Sequence, residues 1–169
     1  LELKKLDPSY RVFFDDGDVI DISSNIEKNY DTFDRLEVNG AEKLKKYLEV
    51  CKKQYDISMK RLVYRTYNSI FSVFSPSMII DGLRLKPFSN YHKRVKTYFK
   101  NPKAQKLLEW VTVFLGGDPR TVPGMYCMMS YLDYHHGIYY PKGGMNGLAN
   151  EIYNICKKYG VEFKFNEAV

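Results

Sequence analysis

The residues best placed to do chemistry lie in one run, Tyr139-Tyr140-Pro141-Lys142-Gly143-Gly144-Met145-Asn146-Gly147-Leu148. Ile138-Tyr139-Tyr140 reads as a strand, Pro141 to Gly144 as a break, and Asn146 to Tyr159 as a helix. Adjacent glycines let a backbone approach something closely, and a helix N-terminus aims N–H groups at it. The chemistry that fits is the holding of an anionic or electron-rich group; a plain packing turn between strand and helix is the competing reading. The other reactive side chains are sparse. His92, His135 and His136 are the histidines, and the spacing of one between His135 and His136 does not suit a metal pair on a helix face. They sit instead near a predicted helix end, where they can meet the terminal carbonyls. Cys51, Cys127 and Cys156 are odd in number and far apart, which fits reduced, mostly buried thiols of a cytosolic protein rather than a disulfide framework or a zinc site. Asp15-Asp16-Gly17-Asp18 lacks the ligand spacing of a calcium loop and reads as turn chemistry. No Gly-x-Ser-x-Gly, P-loop or G-x-G-x-x-G occurs, no pair of catalytic carboxylates can be argued, and no general base is identifiable.

The elements that must position the glycine run are legible from periodicity. Tyr10–Phe14 and Val19–Ile22 flank Gly17 as a β-hairpin. Asn39 and Glu42 predict a capping box ahead of an amphipathic helix over 40–56, with Leu44, Tyr47, Leu48, Cys51 and Tyr55 on its apolar face. A second apolar segment, Met59–Phe74, stops at Ser75-Pro76. Met78-Ile79-Ile80 is either a core helix turn or an element that dips into a membrane. Ser89 or Asn90 caps a helix through Tyr91, Val95, Tyr98 and Phe99. Asn101-Pro102 starts the next, with Ala104, Leu107, Leu108, Val111 and Leu115 on one face and Gly116-Gly117 at its end. Thr121 and Pro123 open another helix, through Tyr126, Met129, Ser130 and Asp133 to Gly137. In the last helix Leu148, Ile152, Ile155, Cys156 and Tyr159 point inward, Gly160 caps it, and Val161–Phe165 is a strand.

Composition narrows the class. The 169 residues suit one domain, are 44% hydrophobic and 27% charged, and carry 15 Tyr and 10 Phe against a single Trp. Such a chain folds, and its longest apolar runs are too short for a transmembrane helix. The net charge of +6 is unevenly placed. Residues 1–42 hold 5 basic and 11 acidic side chains, 43–110 hold 16 and 4, and 111–169 hold 5 and 5. The basic middle admits a solvated helical face, contact with an anionic membrane surface, or nucleic acid; no nucleic-acid-binding motif accompanies it.

In this order and spacing the segments resemble a family. Tyr-Pro-Lys-Gly-Gly-Met at 140–145, followed by a helix, Gly160 and a strand, is similar to the bacterial-type carotenoid desaturases. These are the phytoene (phytoene dehydrogenase) and diapophytoene desaturases and their carotene isomerase and retinol saturase relatives, within the FAD-dependent amine oxidase-like superfamily. The run from Leu6 to Gly17 resembles the family's hairpin, Tyr98-Phe99 with Asn101-Pro102 and Leu107-Leu108 its helix restart, and Phe114-Leu115-Gly116-Gly117-Asp118-Pro119 with Pro123 and Tyr126 its turn and helix. The resemblance covers the whole chain. It implies an α+β fold, with a small antiparallel β-sheet fed by the hairpin and the Ile138–Tyr140 strand and a mostly helical substrate-binding cap. Residues 1–169 would be a single substrate-binding domain, the interior part of a longer enzyme, because the family's G-x-G-x-x-G and C-terminal flavin motif are missing from it. Residues 145–169 would lead back to the FAD-binding domain. The implied cofactor is FAD, with Gly143, Gly144 and Met145 near it. The implied substrate is an apolar isoprenoid or carotenoid lying along Phe114, Met125, Tyr126, Met128, Met129 and Tyr140. A cytoplasmic, peripherally membrane-associated enzyme follows, with residues 59–96 as its membrane-facing lid and self-association of this segment through exposed apolar surface. Two rivals compete with that reading: an amine oxidase-type flavoenzyme with a polar substrate, and a non-enzymatic basic module.

Overall fold

The computed structural model describes residues 1–64 and 89–167. Met78-Ile79-Ile80, the stop at Ser75-Pro76 and most of the proposed lid lie outside the described residues. Those described fall into two compact units, one formed by Asp7–Gly137 and one by Leu1–Leu6 with the chain from Ile138 onward.

The larger unit opens with the hairpin. Strands β2 (Tyr10–Phe13) and β3 (Val19–Ile22) pair antiparallel, Tyr10 opposite Ile22 and Phe13 opposite Val19. Gly17 takes φ +87°, the left-handed conformation that the turn requires. Arg11 grips Asp21 across the strands through two bonds of 2.6 and 2.8 Å, and Lys103 holds both Asp16 and Asp18 at the tip.

Helix α1 (Ile26–Leu36) follows, capped by Asn25, which accepts from the Glu27 amide. Periodicity did not single this helix out, because its buried side includes polar Asn29 and Thr32 beside Phe33. Asn29 belongs there because its amide exchanges two 2.8 Å bonds with the Ser23 backbone. Helix α2 (Gly40–Ser58) begins where a β-carbon on Gly40 would lie 1.9 Å from the Phe33 carbonyl oxygen, so only glycine permits this crossing of α1. The expected capping box at Asn39 does not form. Asn39 is left-handed, at φ +58°, and makes no side-chain cap; Asp34 of α1 instead accepts from the Ala41 amide at 2.8 Å. Helix α2 runs on through a wider π-helical turn, Met59–Val63.

Helices α3 (Tyr91–Tyr98) and α4 (Pro102–Glu109) start where the caps place them, Asn90 accepting from Lys93 and Asn101 from Lys103. Glu37 accepts from the Lys100 and Asn101 amides at 2.8 and 2.9 Å, and so ties their junction to α1. Past Glu109 the helix tightens to a 3-10 form, Trp110–Leu115, ended by left-handed Gly116. Its apolar face stays buried to Val111, but Leu115 is exposed. A further 3-10 turn, Gly124–Cys127, leads into α5 (Met128–Tyr131) and a π-helical turn, Leu132–His136.

The core joins these helices. Phe33, Leu44, Tyr47, Val95, Phe99 and Leu107 are fully buried, and the Phe33 and Phe99 rings meet edge to face at 5.3 Å. Inside it Tyr47 of α2 donates to the Tyr91 hydroxyl at 3.0 Å, and Tyr91 of α3 donates to the Leu108 carbonyl of α4 at 2.9 Å. With the one Tyr91 proton committed, Ser130 of α5 donates to Tyr91 at 2.6 Å.

The smaller unit pairs β1 (Leu3–Lys5) with β4 (Tyr139–Pro141), Leu3 opposite Pro141 and Lys5 opposite Tyr139. Contrary to the single sheet expected from the hairpin and the Ile138–Tyr140 strand, the strand at Tyr139–Pro141 does not join the hairpin; each pair forms its own two-stranded sheet. Helix α6 (Gly144–Lys158) follows, and Gly160 ends it in the left-handed conformation. Two expectations fail here. The apolar stripe of α6 is not inward: Ile152, Ile155 and Tyr159 are exposed, and Leu148 and Cys156 only half-buried. Val161–Phe165 forms no strand, since no partner edge meets it among the described residues. Phe163 and Phe165 instead gather on Tyr153, with ring centroids 4.5 and 6.1 Å away.

Tyr91→Phe removes the donor to Leu108 and the acceptor for Tyr47 and Ser130 at once. A loss of about 1–3 kcal/mol in unfolding free energy is expected, read from urea denaturation followed by circular dichroism. An unchanged midpoint would show that the hydroxyl cluster does not hold the helices.

Candidate functional site

The glycine run forms a turn with a pocket beside it. Strand β4 delivers Tyr140 and Pro141, and Lys142 crosses back to the start of the chain, its amide donating to the Glu2 carbonyl at 2.8 Å. Gly143 and Gly144 then both take positive φ, +88° and +71°. A β-carbon on Gly144 would lie 3.3 Å from the Tyr140 hydroxyl, so a side chain here meets both strain and crowding. Gly143 stands at the N-cap of α6 and offers no side chain, leaving the first turn of the helix without a side-chain cap. Its amides and the positive end of the helix dipole are available to an anionic or electron-rich oxygen. The adjoining pocket, about 480 Å³, is walled by Leu3, Leu6, Tyr140, Pro141, Gly143 and Gly144, with Glu2, Lys4 and Lys142 at its polar side. Met145, the first side chain beyond the glycines, is 62% exposed. The close backbone approach and uncapped amides suit an electron-rich oxygen, and Tyr140 and Met145 stand exposed beside them.

Of the residues singled out for site roles, Tyr140, Gly143 and Gly144 thus converge on one pocket, with Met145 next to them. Phe114, Met125, Tyr126 and Met129 belong to the larger unit. Phe114 stands exposed on the 3-10 segment. Met125 and Tyr126 lie on the Gly124–Cys127 turn and Met129 on α5; all three are half-buried, and Tyr126 and Met129 pack on the core.

Periodicity also passed over a buried acid. Asp133, on the π-helical turn, accepts from the Tyr10 hydroxyl at 2.9 Å, and its other carboxyl oxygen is buried without a hydrogen-bond partner. Burial pushes its pKa up to about 6, against the pull of the Tyr10 bond. Burial likewise pushes the Tyr10 phenol up, and the Tyr10 ring stacks on Trp110 at 6.0 Å. The signal available in sequence was an acid at a helical position that the apolar stripe claims. His92 pairs with Glu109 at 2.6 Å. His135 stacks on Tyr131 at 4.8 Å and His136 lies beside Tyr55 at 6.4 Å, so these rings pack on aromatic neighbours. The three cysteines are free thiols; Cys51 and Cys127 are buried and Cys156 half-buried.

Against known proteins, the family model described as flavin containing amine oxidoreductase matches residues 1–169. The chain is 32% identical over 169 residues to a carotenoid 3,4-desaturase of Haloarcula japonica, a match covering 99% of this chain and 34% of that protein. It is 28% identical to a 4,4'-diapophytoene desaturase (4,4'-diaponeurosporene-forming) of Staphylococcus haemolyticus, over 100% of this chain and 34% of that one. The corresponding Staphylococcus aureus protein is 26% identical over the same shares. The chain therefore spans about a third of the length of these curated relatives. Among the described residues, no helix is long and apolar enough to cross a membrane.

Asp133 makes stability depend on pH. Its folded pKa of about 6 lies above the ordinary carboxylate value of 3.8, so the folded state favours the protonated form. The cost of the buried charge is absent below the unfolded value and complete above the folded one; stability therefore falls as pH rises through that window. Asp133→Asn keeps an acceptor for Tyr10 and removes the charge. It is expected to stabilise the chain at neutral pH by a few kcal/mol, at about 1.4 kcal/mol per pH unit, and to make no difference near pH 4. Parallel pH curves for the two proteins, from thermal denaturation, would refute this.

Proposed function

This chain belongs to the family of flavin containing amine oxidoreductases, and on that premise we propose that it is the substrate-binding portion of an FAD-dependent oxidoreductase that desaturates a long isoprenoid, such as phytoene, in carotenoid biosynthesis. The observation that carries this is the turn at Gly143-Gly144, with left-handed glycines, uncapped first-turn amides and a pocket walled by Tyr140. The relatives named carotenoid 3,4-desaturase and diapophytoene desaturase support the same substrate class. The specific flavin is FAD, which when bound accepts a hydride equivalent from the substrate carbon.

Each residue has a part in that reading. The backbone at Gly143, Gly144 and Met145 would hold the edge of the flavin ring, since Gly143 at the N-cap of α6 puts no side chain over the first turn. Tyr140 presents an aromatic face beside it. Phe114, Met125, Tyr126 and Met129 line the path of the apolar chain, Met giving a wall that adapts to a long flexible ligand. Desaturation demands that water be kept from the reacting carbon, and an aromatic and thioether lining does so without offering a competing nucleophile. The exposed side of α6, including Ile152, Ile155 and Tyr159, is where the flavin-binding part of the enzyme packs; left uncovered, the same surface drives self-association. Since the substrate is lipid-soluble, the enzyme works as a cytoplasmic protein in peripheral contact with a bilayer.

The natural-length protein is expected to be yellow and to release FAD on denaturation. Gly144→Val should lower flavin content about tenfold, the equivalent of about 1.4 kcal/mol of lost contact, with an unchanged far-ultraviolet spectrum. Given anaerobically to the loaded enzyme, phytoene should bleach the flavin absorbance and gain conjugated double bonds, whereas a polar amine should not. A colourless protein that takes up no FAD, or flavin reduced by the amine and not by the polyene, would overturn the reading.

A further inference from the structure

The basic middle of the chain contains a built groove. On α2 it is lined by Val50, Lys53, Gln54 and Ile57, at helical spacings of three, four and seven, so that they share one face. On the other side stand Ser89, just before α3, and Lys93, Arg94, Thr97 and Tyr98 of α3 itself. Its volume is about 510 Å³, the size of a small-ligand site. Among the described residues the lining includes three cations and no carboxylate. Lys53 and Lys93 are exposed, and among the described residues neither has an ion-pair partner. Arg94 is held from within, donating to the Ser89 hydroxyl at 3.2 Å and to the Cys127 sulfur at 3.6 Å. Neither partner is a carboxylate, and among the described residues none pairs with the guanidinium beside the groove. Between the cations the walls are apolar: Val50, Ile57 and the Tyr98 ring.

Like charges gathered round an apolar slot repel one another, and an anion with an apolar tail relieves both costs at once. A nucleotide would want aromatic faces for its base, and among the described residues of the lining Tyr98 is the one aromatic side chain. We infer that the groove between α2 and α3 seats the phosphate headgroup and adjoining acyl segment of an anionic membrane lipid, with Lys53, Lys93 and Arg94 around the phosphate and Val50, Ile57 and Tyr98 against the chain. The inference rests on the peripheral-membrane reading above and sharpens it to one lipid site with named residues.

Co-sedimentation of the natural-length protein with vesicles of phosphatidylcholine alone, or of phosphatidylcholine with phosphatidylglycerol, tests it. Both lysines are exposed helical residues, so Lys53→Ala/Lys93→Ala should fold normally. Its retention on the anionic vesicles should fall by roughly thirtyfold and stay unchanged on the neutral ones. The charge-matched control Lys100→Ala/Lys106→Ala, outside the groove, should change retention by less than about threefold. A photoactivatable phosphatidylglycerol should label the peptide carrying Val50 and Ile57. Equal losses in both variant pairs, no loss in the groove pair, or wild-type retention indifferent to phosphatidylglycerol would overturn the groove and leave the membrane reading intact. Failure of the wild type to bind either vesicle would overturn both.

Discussion

Four helices of the larger unit meet at one buried cluster of hydroxyls. Tyr47, Tyr91 and Ser130, with the Leu108 carbonyl, connect α2, α3, α4 and α5 inside the core. A buried hydroxyl without a partner is costly, so each helix must present its group at the right depth for the others to be satisfied. Hydrophobic burial alone would tolerate sliding of one helix along another; the cluster does not. The fixed α5 and the turn before it carry Met129 and Tyr126, which pack on this core.

The smaller unit is built on the opposite principle. A two-stranded sheet and a single helix bury little, and α6 has no buried residue. What the unit does fix is local. Glu2, just before β1, pins Lys142, and β1 holds Tyr139–Pro141, which together aim the glycine turn and the first turn of α6. A site formed from backbone amides needs such anchoring and little else, because the amides cannot change rotamer. The exposed Ile152, Ile155 and Tyr159 show the other half of the arrangement: apolar area that must find cover beyond this unit.

Much of this was legible along the chain. The hairpin turn at Gly17, the caps at Asn90 and Asn101, and the terminating glycines at Gly116 and Gly160 all depend on residues within a few positions of one another, where conformational preference is strong. The glycine pair at 143–144 was legible for the same reason. The features that local pattern does not carry depend on partners far away in sequence. Asp34 caps α2 in place of Asn39 because the α1–α2 crossing brings its carboxylate there. Helix α1 hides polar Asn29 because the Ser23 backbone satisfies it. Asp133 is buried against Tyr10, more than a hundred positions away.

The amino-acid sequence by itself determined the types and ends of most elements, the unevenly distributed charge and the chemistry available at Gly143-Gly144, because these follow from backbone preferences and side-chain periodicity. Only the tertiary structure decided which strands pair, which helical faces are covered and which charges remain unpaired. Residues Leu3–Lys5 carry the Tyr139–Pro141 strand because long-range pairing is chosen by the whole chain's packing rather than by local pattern. For the same reason a basic stretch that by itself admits a solvated face, a membrane surface or nucleic acid becomes, at Lys53, Lys93 and Arg94, a groove with a definite shape.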